Sequence, residues 1–159
     1  MAAIGPTLGG FLGFVRGVMG IDPLLLPDDS PALGWAFSVA LMIVNPQLAL
    51  IASPYPSPAP VQTDLYSLAV YNLAGDNLIN FAPDQTGRTY FADLRTQFKI
   101  SNFAAGVVQS ASDEGTSSTL AVPDALKALT IGQLQNLKTP YGRQYLSFAQ
   151  SAGTLWGLS

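Results

Sequence analysis

The chain contains no cysteine and no histidine. Without cysteine there is no disulfide, no thiolate nucleophile and no zinc–sulfur site. Without histidine, the usual acid–base residue near neutral pH and the commonest transition-metal ligand are missing together. Charge is also scarce. Asp, Glu, Lys and Arg make up 11% of the residues, against roughly 25% in an ordinary soluble domain. Hydrophobic residues, at 48%, are ordinary, so the shortfall lies in the polar coat. A lone subunit covers itself with charged side chains. A chain this poor in them is expected to be covered by something else, either subunit neighbours or lipid.

The seven basic residues are Arg16, Arg88, Arg95, Lys99, Lys127, Lys138 and Arg143. They are scattered along the chain, and the formal net charge is -3. Tight binding to phosphates needs clustered Lys and Arg, so specific nucleic-acid binding is not expected. A mildly acidic surface suits a conduit that passes DNA without gripping it. The first fifteen residues hold no Lys or Arg, so no secretory n-region is expected. At 159 residues the chain suits one domain able to bury its own core.

The recognised catalytic patterns are missing. Serine catalysis lacks its base, and neither SxxK nor GxSxG occurs. Asp28-Asp29 and Asp113-Glu114 are adjacent carboxylates, which point apart and stay solvated rather than facing each other across a cleft. Gly9, Gly10 and Gly13 follow no predicted strand and lack dinucleotide-binding spacing, and no phosphate loop is present. No catalytic residue, metal site or cofactor is expected. An enzyme remains conceivable only if a cleft gathers two or more of Asp76, Asp93, Arg95 and Lys99.

The pattern along the chain predicts a mainly α protein: a small helical bundle with long loops, extended terminal arms and room for a single short β-hairpin. Residues 1–29 read as a flexible arm, adaptable or loosely helical because of its glycines and prolines. Residues 30–138 read as the bundle, with a loop over 107–122. Residues 139–159 read as a C-terminal helix or arm. Ser30-Pro31 is a side-chain cap followed by proline at the first helical position. It opens a helix through Trp35, Phe37, Leu41 and Val44. Asn45-Pro46 repeats the device and opens a short piece, QLALIA.

The uncharged run Leu33–Ala52 has the length of a membrane span. Asn45-Pro46 interrupts it, however, and no nearby Lys or Arg would orient it. Two shorter buried helices are therefore favoured, with a small integral membrane protein as the alternative. The proline-rich segment Ser53–Pro60 reads as an extended linker.

A third helix is expected over 64–81, weakened or broken at Gly75-Asp76-Asn77 and ended by Pro83-Asp84. A fourth starts near Thr89. It has Tyr90, Phe91, Leu94 and Phe98 on one face and Asp93, Arg95 and Lys99 largely on the other. The stretch SASDEGTSST over 110–119 reads as a polar loop, or alternatively as a hairpin tip. Short helices are expected at Pro123–Leu129 and after a Thr130–Gln133 capping box. Thr139-Pro140 caps the last helix. Its predicted stripe is Tyr141, Tyr145, Phe148, Ala152, Leu155 and Trp156, stopped by Gly157. The stripe reads first as core and second as a subunit contact. Arg143 lies off it.

The segments VNP at 44–46, LYSLAVYNLAGDNLINFAP at 65–83, YFADLRTQF at 90–98 and LTIGQLQNLKTPYGRQYLSFAQSAGTLWGLS at 129–159 together resemble the head-to-tail connector (adaptor) proteins of tailed bacteriophages. The resemblance covers about two-thirds of the chain, and its motifs are packing motifs. It implies a structural virion protein of the neck, assembled in the host cytoplasm. Such a protein forms a ring, typically a dodecamer, that binds the portal, docks a tail or nozzle protein and lets DNA pass. Carried over by position, Tyr141, Arg143, Tyr145, Phe148, Leu155 and Trp156 would meet the portal or a neighbouring subunit. Ser110, Asp113, Glu114 and Thr116 would face the lumen or the tail. Another phage tail or neck component is the nearest alternative.

Overall fold

The computed structural model describes residues 5–50, 64–101, 110–113, 116–119 and 131–151. The protein is mainly helical. In chain order it forms α1 (Leu8–Gly17), α2 (Pro31–Ile43), a 3-10 turn (Pro46–Leu50), α3 (Leu65–Phe81), α4 (Tyr90–Gln97), strands β1 (Ser110–Asp113) and β2 (Thr116–Thr119), α5 (Ile131–Asn136) and α6 (Pro140–Ser151). The two strands pair antiparallel, with Ser110 opposite Thr119 and Asp113 opposite Thr116. Of the two sequence readings of this stretch, the hairpin is the one realised.

The fold is organised around α3. Asp64 caps it, its carboxylate accepting the Ser67 amide at 2.6 Å. This satisfies one of the amides a helix start leaves open. The helix continues unbroken through Gly75-Asp76-Asn77, correcting the expected weakness there. The physical reason is close packing at Gly75. A Cβ at that position would meet Met19 Sδ at 3.1 Å and Phe14 at 3.4 Å. Residues 72–79 are all buried, because α2 and α6 pack along α3 while α1, α4 and the 3-10 turn also touch it.

Residues 5–29 are no free arm, which is a second correction. Thr7 Oγ caps α1 by accepting the Gly10 amide at 3.0 Å. Phe11 and Val15 are fully buried. The Phe11 ring lies 5.9 Å from Phe37 and 6.2 Å from Tyr71. Arg16 holds the following turn, donating to the Ile21 carbonyl at 2.7 Å and to the Leu26 carbonyl and pairing with Asp28. Asp28 is therefore committed to a partner instead of simply solvated.

α2 begins at Pro31 as expected, although the Ser30 side chain makes no capping bond. It ends before Asn45, whose side-chain oxygen accepts the Gln47 amide at 2.9 Å and opens the 3-10 turn. Among the described residues no helix is long and apolar enough to cross a membrane.

α4 presents Phe91 to the core, with Tyr90 and Leu94 packed beside it. Its Arg95 turns inward, against the expected outward face. The guanidinium donates to the carbonyls of Ile79, Asn80 and Ala82 at 3.3, 3.3 and 3.0 Å. These are acceptors that the end of α3 leaves open. Asp84 lies 3.7 Å from the same guanidinium. Its carboxylate also accepts the Phe91 and Ala92 amides at 2.6 and 3.0 Å. One Asp–Arg pair thus finishes α3 and starts α4.

The last helix also belongs to the bundle, so the expected boundary between 138 and 139 is not a domain boundary. Thr139 does cap α6, its hydroxyl accepting the Gly142 amide at 2.9 Å. The residues driven against α3 are Thr139, Gly142, Leu146 and Ala149. Tyr145 and Phe148 flank that line and pack against the core, while Tyr141 meets Phe14 edge-on at 6.0 Å. The most buried line therefore lies one residue past the predicted stripe, whose described members stay half-buried along its edge. Small side chains sit nearest α3 because they allow the closest approach of the two helices. The linker over 53–60, the helix over 123–129, the cap at Thr130 and the positions Glu114, Ala152, Leu155, Trp156 and Gly157 lie outside the described residues.

Candidate interaction surface

α2 explains where the missing polar coat matters. From Pro31 to Leu50 the sequence holds no charged residue. Leu33, Ala36, Phe37 and Ala40 turn inward. The opposite face carries Trp35, Val39 and Met42, at i, i+4 and i+7, with Ile43 beside them. Trp35 is 48% exposed and Met42 83%. A helix that is apolar all round belongs in an interior; here one of its two faces is open.

Phe81 extends this face from the end of α3. It is 66% exposed and meets Trp35 edge-to-face at 5.4 Å. Pro31, Ala32, Trp35, Phe81, Ala82 and Pro83 line an open apolar hollow of about 340 Å³. No titratable side chain lines it. Its chemistry suits an apolar side chain of a neighbour, an aromatic or a leucine, more than a substrate that needs polar handles.

Three of the titratable residues singled out as enzyme candidates are held by other partners. Asp76 is buried against Thr139, Asp93 accepts the Thr89 hydroxyl at 2.9 Å, and Arg95 serves the end of α3. No hydrogen bond or ion pair joins any two of Asp76, Asp93, Arg95 and Lys99 among the described residues. No group of acidic residues there could hold a metal ion.

The interface candidates from the sequence divide. Tyr145 and Phe148 are half-buried and pack against the core. Burial pushes the Tyr145 hydroxyl above its ordinary pKa, consistent with a ring sunk among apolar neighbours. Tyr141 is half-buried. Arg143 is exposed and donates to the Leu137 carbonyl at 3.1 Å and the Lys138 carbonyl at 3.4 Å. Of the loop residues, Ser110, Asp113 and Thr116 sit in the hairpin.

Sequence reasoning missed Phe81 and the outward face of α2. The signal was present in the uncharged run Leu33–Ala52. That run reads as a span or as two buried helices, whereas the structure buries only one side of its α2 part. No protein-family model, curated protein or solved structure matches the chain.

Proposed function

We propose that this protein is a non-catalytic building block whose uncharged α2 face is covered by a neighbouring copy in a larger assembly. The observation that carries this reading is the exposed row Trp35–Met42–Ile43, continued by Phe81, on a chain with few charges to keep such a surface in water. A closed ring meets the need well. Each copy covers its neighbour, so no apolar face is left over.

The finer reading follows from the resemblance. The assembly is a phage head-to-tail adaptor, a ring beneath the portal through which DNA passes, with the tail or nozzle protein below. Sparse basic residues support a lumen that does not hold DNA.

Two measurements test the two levels separately. Trp35→Glu places a charge in the centre of the proposed contact. Its expected result is a folded chain of single mass, 16.7 kDa, under conditions where the unaltered chain forms multiples of it. An unaltered chain that stays single at every concentration, both alone and on its docking partner, sinks the assembly reading.

The adaptor reading is tested with filled heads bearing an open portal vertex. The chain is expected to sediment with them. A truncation after Ser151 is expected to lose that binding while keeping its helical signal. A cut before Tyr145 is uninformative, because it strips Leu146 and Ala149 from the core. Heads that ignore the full chain overturn the adaptor reading and leave the assembly reading standing.

A further inference from the structure

Asp76 is 1% exposed in the middle of α3, and the proposed assembly makes no use of it. Its Oδ1 accepts the hydroxyl proton of Thr139, which is fully buried. Its Oδ2 accepts the Asn80 side-chain amide at 3.1 Å. The Thr139 oxygen in turn accepts the Gly142 amide. A chain of three groups thus joins the centre of α3 to the first turn of α6. Only the Thr139 link crosses between elements, since Asn80 lies one turn further along α3 itself.

No cation stands opposite this carboxyl among the described residues. On α1, Arg16 is committed to Asp28 and two carbonyls. α2, the 3-10 turn and α5 carry no charge. On α4, Arg95 serves the end of α3, Asp93 faces Thr89, and Lys99 beyond it is exposed. On α6, Arg143 donates to the carbonyls of 137 and 138, and Lys138, in the turn before that helix, reaches those of Lys99 and Ile100. Tyr71, on α3, accepts the Thr7 amide. Tyr90, Tyr141 and Tyr145 are all displaced further from neutral pH by burial.

We propose that the Asp76–Thr139 contact is a proton-operated latch that sets how firmly α6 is held on the bundle. The protonated carboxyl rests in the dry joint at little cost. The carboxylate has two donors and, among the described residues, no counter-charge, so it gains by reaching water. Separating α6 from α3 at Thr139 admits water without unwinding α3. The direction agrees with burial raising the Asp76 pKa to about 6, opposed only in part by Thr139 and Asn80. A raised pKa favours the closed joint at low pH, and that advantage is lost as pH rises through about 6.

The test is amide hydrogen exchange on the full chain from about pH 5 to about pH 7.5, corrected for intrinsic rates. The opening constant of α6 amides is expected to rise about tenfold across that window, the change set by a shift from 3.8 to about 6. The amides of α3 are expected to keep a smaller opening constant than those of α6. Asp76→Asn is expected to flatten the rise. Thr139→Ser, which keeps the hydroxyl, is expected to preserve it. α6 protection that is flat with pH, or a slope that survives Asp76→Asn, overturns the latch. So does an α3 that opens together with α6, since the proton would then act on the whole fold. Should Asp76→Asn not fold, the carboxyl carbon signal of Asp76 in the unaltered chain decides. A midpoint near the ordinary aspartate value refutes the proposal, and one near 6 supports it.

Discussion

Phe11→Ala is expected to destabilise the protein by about 3–5 kcal/mol, the range for removing a buried phenylalanine from a packed core. The ring is fully buried. It stacks at 5.9 Å on Phe37 of α2, at 6.2 Å on Tyr71 of α3 and at 6.5 Å on Phe14 of its own helix. Alanine removes a ring at the point where three helices meet. Closure of the hollow is limited, because α1 already lies close to Tyr71 at Gly10. Against a total stability of about 5–15 kcal/mol for an ordinary domain, the loss takes a large fraction. Urea unfolding followed by circular dichroism measures it as a lower midpoint. Leu8→Ala is the control. Leu8 sits on the same helix but is 47% exposed, and its loss is expected to cost about 0.5 kcal/mol or less. Equal, small effects from the two substitutions would return residues 5–29 to the status of an arm.

That arm shows where the sequence was hard to read. Four glycines in ten residues of α1 lower its intrinsic helix propensity by about 1 kcal/mol each. A reading by propensity therefore sees a loose segment. Glycine at position 10 serves a different end, since a Cβ there would meet the Tyr71 hydroxyl at 2.2 Å. The small residue lets α1 lie close against α3, and burial of Phe11 and Val15 repays the propensity.

Residues whose partners are near in sequence were legible. Thr139 capping α6, the proline starts of α2 and α6, and the apolar face of α4 follow from short-range rules. Residues whose partners are distant were not. Asp76 meets Thr139 across 63 positions and Arg95 meets Ala82 across 13. Periodicity alone assigns an arginine to the solvent side and a Gly-Asp-Asn run to a break. In α6 the spacing was right, but the most buried line, Gly142, Leu146 and Ala149, runs one residue past the aromatic stripe, which packs half-buried beside it. Large aromatic side chains drew the stripe, whereas Gly142 and Ala149 take the places nearest α3. For the surface, composition predicted that something must cover the chain, but only the fold shows that one face of α2 is left open.

Gly142→Ala is expected to cost about 3 kcal/mol, although alanine is intrinsically the better helix former by about 1 kcal/mol. The reason is the turn between α5 and α6. Gly142 is buried in the first turn of α6, where Thr139 caps it. A Cβ there would lie 2.1 Å from the Asn136 carbonyl oxygen and 2.8 Å from its carbonyl carbon. Both are backbone atoms and cannot rotate away. Either the end of α5 or the start of α6 must shift, and the Thr139 joint to Asp76 shifts with it. Gly75→Ala makes the comparison sharp. Its nearest neighbour is the sulfur of Met19 at 3.1 Å, the far part of a flexible side chain. A displaced thioether is cheap, so this change is expected to stay within about 1 kcal/mol of neutral, part of its strain offset by propensity. Urea midpoints for the two variants separate the cases, and hydrogen exchange should place the loss of protection in Gly142→Ala on α5 and α6. If both glycines tolerate alanine equally, the α5–α6 turn is not held as tightly as its geometry implies. Mobility of α6 would then come from that turn, with no need for a charge at Asp76.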